Sequence, residues 1–141
     1  MKNIFVYGTL KRGFPNYSEQ GLGRFYIDDC ITERPYSLVI ADQYYVPVLL
    51  PDGNKHRLER IKGELYRVDQ DMLIWLDTLE GVGKDKGYQR IEIRVLSSDG
   101  QVIVAEAYMK YRKDIGVIHH ELSTEYKRDP RYIPLALRGT I

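Results

Sequence analysis

A chain of 141 residues, 43% hydrophobic and 29% charged, has the composition of a single soluble globular domain over 1–141 and is short for two. With 21 Lys and Arg against 20 Asp and Glu the net charge is +1, so no strong field recruits nucleic acid or an anionic membrane, and a small molecule is the expected partner. The lone Cys excludes an internal disulfide framework and any multi-cysteine metal knuckle. Together with the lack of a bilayer-length apolar run or a signal-peptide h-region, it points to the cytoplasm.

The 12 Tyr and 12 Gly suit a sheet lining a half-wet pocket, because Tyr is strand-prone and carries a polar tip on an apolar ring. The apolar run over 3–7, closed by Gly8, predicts a buried strand entering a tight turn, and 9–16 a loop. Broken β-patterns follow over 25–32, 36–41, 46–50 and 61–68, separated by Pro35, by Asp42-Gln43 and by Pro51-Asp52-Gly53-Asn54. Several short strands with turns between them predict a sheet that curls. Asp69 is a favoured N-cap and Gly81 a typical C-terminal stop, which bounds a helix over 70–80. Residues 88–96 alternate, Asp99-Gly100 signals a two-residue hairpin turn, and 101–111 return as the partner strand. The tail 112–141 shows no sustained period and reads as irregular, with room for one short strand.

On a helical wheel advancing about 100° per residue from Met72, Leu76 falls near +40°, Leu73 near +100°, Leu79 near −20° and Trp75 near −60°. These define a core-facing arc, and Glu80 falls inside it at about +80°. A carboxylate aimed inward must be protonated, hydrogen-bonded or set on a cavity. The alternative is an ordinary ion pair with Arg90 or Lys84 at a fraying last turn. A helix C-terminus gives a carboxylate no help and tends to raise its pKa.

The second constellation is Tyr7-Gly8-Thr9-Leu10. If Gly8 lets the chain turn sharply, the amides of Gly8, Thr9 and Leu10 can share one concavity, suited to an anion or a developing oxyanion. The run from Gly8 to Gly13 lacks the Gly-Lys-Ser/Thr ending of a phosphate loop. Adjacent His119 and His120 are poorly spaced for one metal, Cys30 in a strand pattern reads as a small buried residue, and no Ser sits in a Gly-x-Ser-x-Gly elbow. No metal or cofactor is called for.

The run from Phe5 to Gly13 with Pro15-Asn16, then 36–40, 46–50, 63–66, Leu76 to Gly81 and Tyr88 to Arg90, in that order, resembles the gamma-glutamylcyclotransferase-like superfamily, most closely its gamma-glutamylamine cyclotransferases. The resemblance implies an α+β, mostly β fold: a small mixed barrel with crossover connections and one main helix. It implies that the loop from Tyr7 to Leu10 binds a glutamyl head and that Glu80 is the catalytic acid-base, with Tyr88 and Arg90 shaping the cavity. The implied reaction turns a gamma-glutamyl amine into 5-oxoproline and a free amine, without cofactor. The alternatives are action on gamma-glutamyl amino acids or another gamma-glutamyl-capped metabolite, and a Tyr-lined binding module without turnover. Tyr17 stands where such proteins often carry His, and the tail beyond Arg112 follows no family pattern.

Overall fold

The computed structural model describes residues 1–53 and 55–138. Asn54, in the turn expected over 51–54, and the last three residues of the tail lie outside the described residues. Eight strands and one α-helix follow in the order β1 (Lys2–Val6), β2 (Tyr26–Thr32), β3 (Ser37–Ala41), β4 (Val46–Leu50), β5 (Lys62–Val68), α1 (Gln70–Glu80), β6 (Gln89–Ser97), β7 (Val102–Met109) and β8 (Ile118–Glu121). Five strands close into a barrel in the order β1-β5-β2-β6-β7, while β4, β3 and β8 form a separate three-stranded sheet. All barrel pairings are antiparallel except β1 with β7, where Ile4 lies opposite Glu106 and Phe5 opposite Ala107. The mixed barrel with crossovers expected from the resemblance is therefore the fold.

β1 is apolar throughout its middle because both of its faces are covered. Phe5 points into the barrel with Leu65, Ile93, Val95 and Ala107. Ile4 and Val6 point outward, onto Met72, Leu73 and Leu76 of α1. The strand thus fixes the helix against the barrel wall, and the turn following β1 lies beside the helix end.

The helix forms where the caps specify. Asp69 accepts a hydrogen bond from the Met72 amide, satisfying one orphan donor of the first turn. Gly81 adopts φ 69°, and the amides of Gly81 and Val82 close onto the carbonyls of Thr78 and Asp77, which is a Schellman ending. The buried arc is narrower than the wheel predicts. Leu76 is fully buried and Met72 and Leu73 nearly so, but Trp75 is 47% exposed. Trp75 lies about 100° around the axis from Leu76 and so falls on the flank of the contact with the barrel. Centring the arc on Leu76 leaves Glu80 well inside it.

One further expectation is corrected, and the short strand allowed for in the tail is present. The β6–β7 hairpin turns through three residues rather than two, because the Ser97 amide bonds the Gln101 carbonyl and Gly100 takes φ 85° at the third loop position. This is the three-residue turn that ends in a left-handed Gly. The tail does contain one strand, β8, which pairs with β3. Period-2 patterning is weak there because β8 has only four residues and three of them are exposed.

Candidate functional site

The turn after β1 is closed by the Lys11 amide on the Gly8 carbonyl at 3.1 Å. Gly8 does not have a positive φ. Glycine is required for a different reason: a Cβ there would stand 2.9 Å from Cγ of Pro47, at the start of β4. The turn is therefore pressed against the second sheet. The amides of Gly8, Thr9 and Leu10 donate to no backbone carbonyl of the described residues. The Leu10 side chain joins the core under α1, so its contribution to a site is its main chain. Asn16 holds the loop, its amide bonding the Thr9 carbonyl at 2.8 Å and its Nδ2 the Thr9 Oγ1 at 2.8 Å.

Glu80 ends α1 and is partly buried. Its carbonyl accepts the Tyr88 amide at 3.0 Å. Gly87 lies so close to Gly81 that an added Cβ would collide with the Gly81 carbonyl oxygen. Residues 81–87 thus form a closed loop that seats the helix end. Among the described residues no hydrogen bond or ion pair engages the Glu80 carboxylate, so neither Lys84 nor Arg90 neutralises it. Burial pushes its pKa from 4.5 up to about 7, against the opposing pull of Lys110 and Arg138.

Glu80 borders two neighbouring spaces. A small inner chamber of about 30 Å³ is lined by Tyr7, Gly8, Thr9 and Leu10. An outer cavity of about 280 Å³ is lined by Asn16, Asp42, Lys84, Lys110, Tyr132 and Arg138, among others. Thr9, Pro47, Glu80 and Tyr88 face both. The outer cavity is at the small end of the about 300–1,000 Å³ typical of small-molecule sites.

The residues singled out in the sequence separate into two groups. Glu80, Thr9, Gly8, Leu10, Tyr7 and Tyr88 meet at the chambers. The hydroxyls of both tyrosines are committed to the backbone: Tyr7 donates to the Tyr108 carbonyl at 2.6 Å and accepts from the Leu49 amide at 3.1 Å, and Tyr88 donates to the Pro47 carbonyl at 2.8 Å. Burial raises the pKa of both, so they are neutral walls, not acids. Arg90 lies elsewhere. It pairs with Asp77 at 2.9 Å and Glu106 at 3.1 Å and lines neither chamber. It belongs to a brace between α1 and the β6–β7 pair, in which Tyr108 also donates to Asp77 at 2.7 Å. Cys30 is buried and its thiol is pushed up to about 12, which suits a packing residue.

Lys110, Asn16, Tyr132 and Arg138 were not found by pattern. Lys110 follows β7 directly, where a charge ending an alternating strand looks like solvent-facing punctuation. Tyr132 and Arg138 sit in the aperiodic tail, which folds across the cavity mouth. Asn16 Nδ2 reaches the Tyr132 hydroxyl at 3.1 Å, and the Ile133 amide bonds the Tyr44 carbonyl at 3.1 Å. Among the described residues no cluster of His, Cys, Asp or Glu could hold a metal ion, and no helix is long and apolar enough to cross a membrane.

Comparison with known proteins gives this arrangement a family. Residues 4–129 match the model of the gamma-glutamyl cyclotransferase, AIG2-like family. The chain is 39% identical over 125 residues to gamma-glutamylaminecyclotransferase B of Danio rerio, covering 81% of this chain and 63% of that protein. It is 41% identical over 107 residues to gamma-glutamylaminecyclotransferase of Rattus norvegicus, covering 71% and 68%. The chain thus spans about two thirds of the length of these relatives. The crystal structure of an AIG2-like protein from Mus musculus superposes with a TM-score of 0.66 at 33% identity, over 78% of this chain and 77% of that one. The chain belongs to the gamma-glutamyl cyclotransferase, AIG2-like family.

Proposed function

We propose that this protein converts a gamma-glutamyl amine to 5-oxoproline and the free amine, with Glu80 as general acid-base. The observation that carries the reading is a carboxyl raised to about 7 in the same opening as the turn from Gly8 to Leu10. Its similarity to gamma-glutamylaminecyclotransferases supports it. A substrate α-amine titrates near 8 or above and is mostly protonated at neutral pH, so attack needs a base. A carboxylate poised near 7 is far better matched to that proton than one at 4.5.

Ionised Glu80 takes a proton from the α-ammonium. The freed amine attacks the γ-carbonyl carbon, forming the ring C–N bond and placing a negative charge on the former carbonyl oxygen. The unspent amides of the Gly8 turn are the donors available for that oxyanion or for the α-carboxylate, and one such donor is worth roughly 3–4 kcal/mol in the transition state. Collapse restores the carbonyl and breaks the bond to the departing nitrogen, which takes the proton from Glu80; the ring nitrogen gives its second proton to the re-ionised Glu80, which passes it to the released amine or to water, leaving neutral 5-oxoproline lactam. Both reacting groups belong to one molecule, so holding the glutamyl chain curled, with nitrogen and carbon about 3–3.5 Å apart, supplies much of the acceleration. Tyr7 and Tyr88 shape the chamber with their rings. In this reading the chain works as one domain in the cytoplasm, which suits its buried free Cys30.

The test is Glu80→Gln. The variant keeps the shape and deletes the base, so 5-oxoproline release should fall by at least about a hundredfold with the fold intact. Undiminished turnover overturns the assignment.

A further inference from the structure

Main-chain donors favour a transition state only if they are already in place, because donors that must reorganise as charge develops lose their advantage over water. The amides of Gly8, Thr9 and Leu10 lie between the end of β1 at Val6 and the short 3-10 turn that begins at Leu22, in a segment without strand or helix. The bonds from the Lys11 amide to the Gly8 carbonyl and from the Asn16 amide to the Thr9 carbonyl fix the shape of this segment, but neither reaches the barrel. The Lys11 Nζ donates to the Tyr126 carbonyl at 2.8 Å, which ties the segment to the tail. Its polar tie to the barrel wall is Glu64 of β5.

Glu64 lies opposite Val6 in the β1–β5 ladder, at the point where the chain leaves the barrel for the turn. Its Oε1 accepts the Arg12 amide at 2.9 Å and the Tyr66 hydroxyl at 2.9 Å, and its Oε2 accepts the Arg12 Nε at 3.1 Å. One residue, two positions beyond Leu10, thus presents both its main chain and its side chain to a single carboxylate. The Arg12 guanidinium is fixed in turn: it stands 4.0 Å from the centroid of the Tyr26 ring, and its Nη2 donates to Asp29 at 2.9 Å and to the Tyr26 hydroxyl at 3.2 Å. Glu64 is buried and Tyr66 fully so. A buried carboxylate is costly, and well-packed apolar residues in place of a buried ion pair are often as stable or more so. Stability alone therefore does not call for a charge at this position. Glu64 lines neither chamber, so it does not touch the substrate, and the charges that act on Glu80 are those of Lys110 and Arg138. What Glu64 reaches is the main chain that carries the donors.

We propose that Glu64 is a positioning residue for ring closure, whose clasp on the Arg12 main chain holds the amides of Gly8 to Leu10 in the place where the substrate's negative charge meets them. This rests on the cyclotransferase reading. Two substitutions separate reach from charge. Glu64→Asp keeps the negative charge beside the Arg12 guanidinium but withdraws its oxygens from the Arg12 amide by one methylene. Glu64→Gln removes the charge and leaves a carbonyl oxygen within reach of that amide. The readout is 5-oxoproline release from Nε-(γ-glutamyl)lysine by the full-length protein, referred to its folded fraction. Glu64→Asp should lose roughly tenfold to a hundredfold in kcat/KM, as expected for donors displaced by up to about an ångström, while Glu64→Gln stays within about fivefold of the parent. The acid limb of the pH–rate profile should stay where it is in both, because Glu80 is untouched. By NMR, the Arg12 amide should exchange with solvent faster in Glu64→Asp than in the parent, with the β5 amides unchanged. Equal losses in the two variants, a larger loss in Glu64→Gln, or full turnover in Glu64→Asp overturns the positioning role and leaves the cyclotransferase intact. A displaced acid limb in either variant does the same, since Glu64 would then act through Glu80. If Glu64→Asp does not fold, exchange in the unaltered protein decides: an Arg12 amide as protected as those of β5 supports the clasp, and one that exchanges like an open loop overturns it. A folded parent that releases no 5-oxoproline removes both readings.

Discussion

The raised pKa of Glu80 is a statement about stability as well as catalysis, and one substitution separates the two. Moving the carboxyl from 4.5 to about 7, at about 1.4 kcal/mol for each tenfold in proton affinity, disfavours the ionised folded state by about 3 kcal/mol. Between those pH values the folded protein binds more protons at this group than the unfolded chain does, so its contribution to stability falls as pH rises and levels off above about 7. Gln cannot ionise. Glu80→Gln should therefore unfold in denaturant like the parent at pH 4, and be more stable than it at pH 8 by up to about 3 kcal/mol. That corresponds to a Tm higher by about 6–12 °C for a chain of this size. The assay is urea unfolding followed by Trp75 fluorescence at five or six pH values, with 5-oxoproline release measured on the same samples. A stability difference that does not change with pH would refute the claim that this carboxylate is held away from water. A gain in stability together with lost turnover identifies Glu80 as a group kept at a structural cost for its chemistry.

The same pKa predicts that kcat/KM falls below about pH 7 on the acid side, because the base must be ionised. Removing the charge of Lys110 or Arg138, both of which pull Glu80 downward, should move that limb to higher pH, as a pH–rate profile will show. Gly87→Ala forces a Cβ onto the Gly81 carbonyl; a loss of about 1–3 kcal/mol in chemical denaturation should accompany weakened turnover, since this loop seats Glu80. Tyr7→Phe leaves the Leu49 amide and the Tyr108 carbonyl without the hydroxyl that joins them. It should cost about 1–3 kcal/mol in the same measurement, with KM nearly unchanged because that hydroxyl is already committed to the backbone. Gly8→Ala should impair turnover sharply, since the new methyl meets the rigid Pro47 ring and displaces the turn.

The half of the site built from local signals was legible in the sequence. The caps of α1 are short-range chemistry, so Asp69 and Gly81 mark the helix end and with it the position of Glu80. Glu80 was conspicuous because a carboxylate interrupts an apolar arc. Trp75 misled because a wheel weighs every apolar residue equally, whereas a helix lying on a barrel strand buries only the residues nearest the contact. Gly8 was noticed for the wrong reason: the sequence suggested backbone freedom, and the structure shows a close approach to Pro47. Arg90 stands two residues from Tyr88, but Tyr88 belongs to the loop that closes on the Glu80 carbonyl, whereas Arg90 lies in β6 and pairs with Asp77 and Glu106.

The opposite wall had no such signal. Asn16 bonds Tyr132 across 116 positions, and Arg138 packs on Tyr44 across 94. These contacts come from a tail without periodicity, and nothing local in a chain records which aperiodic segment will cross which cavity. The chemistry of the two walls differs accordingly. In the proposed reading the inner wall, of main-chain amides and one carboxyl, serves ring closure and leaves the departing group unaddressed. Among the described residues the tail adds side chains only to the outer space. Variation beyond residue 112 can therefore change which amine is released while Glu80 and the Gly8 turn stay fixed, and the aperiodic part of the chain is where the selectivity of this protein should be sought.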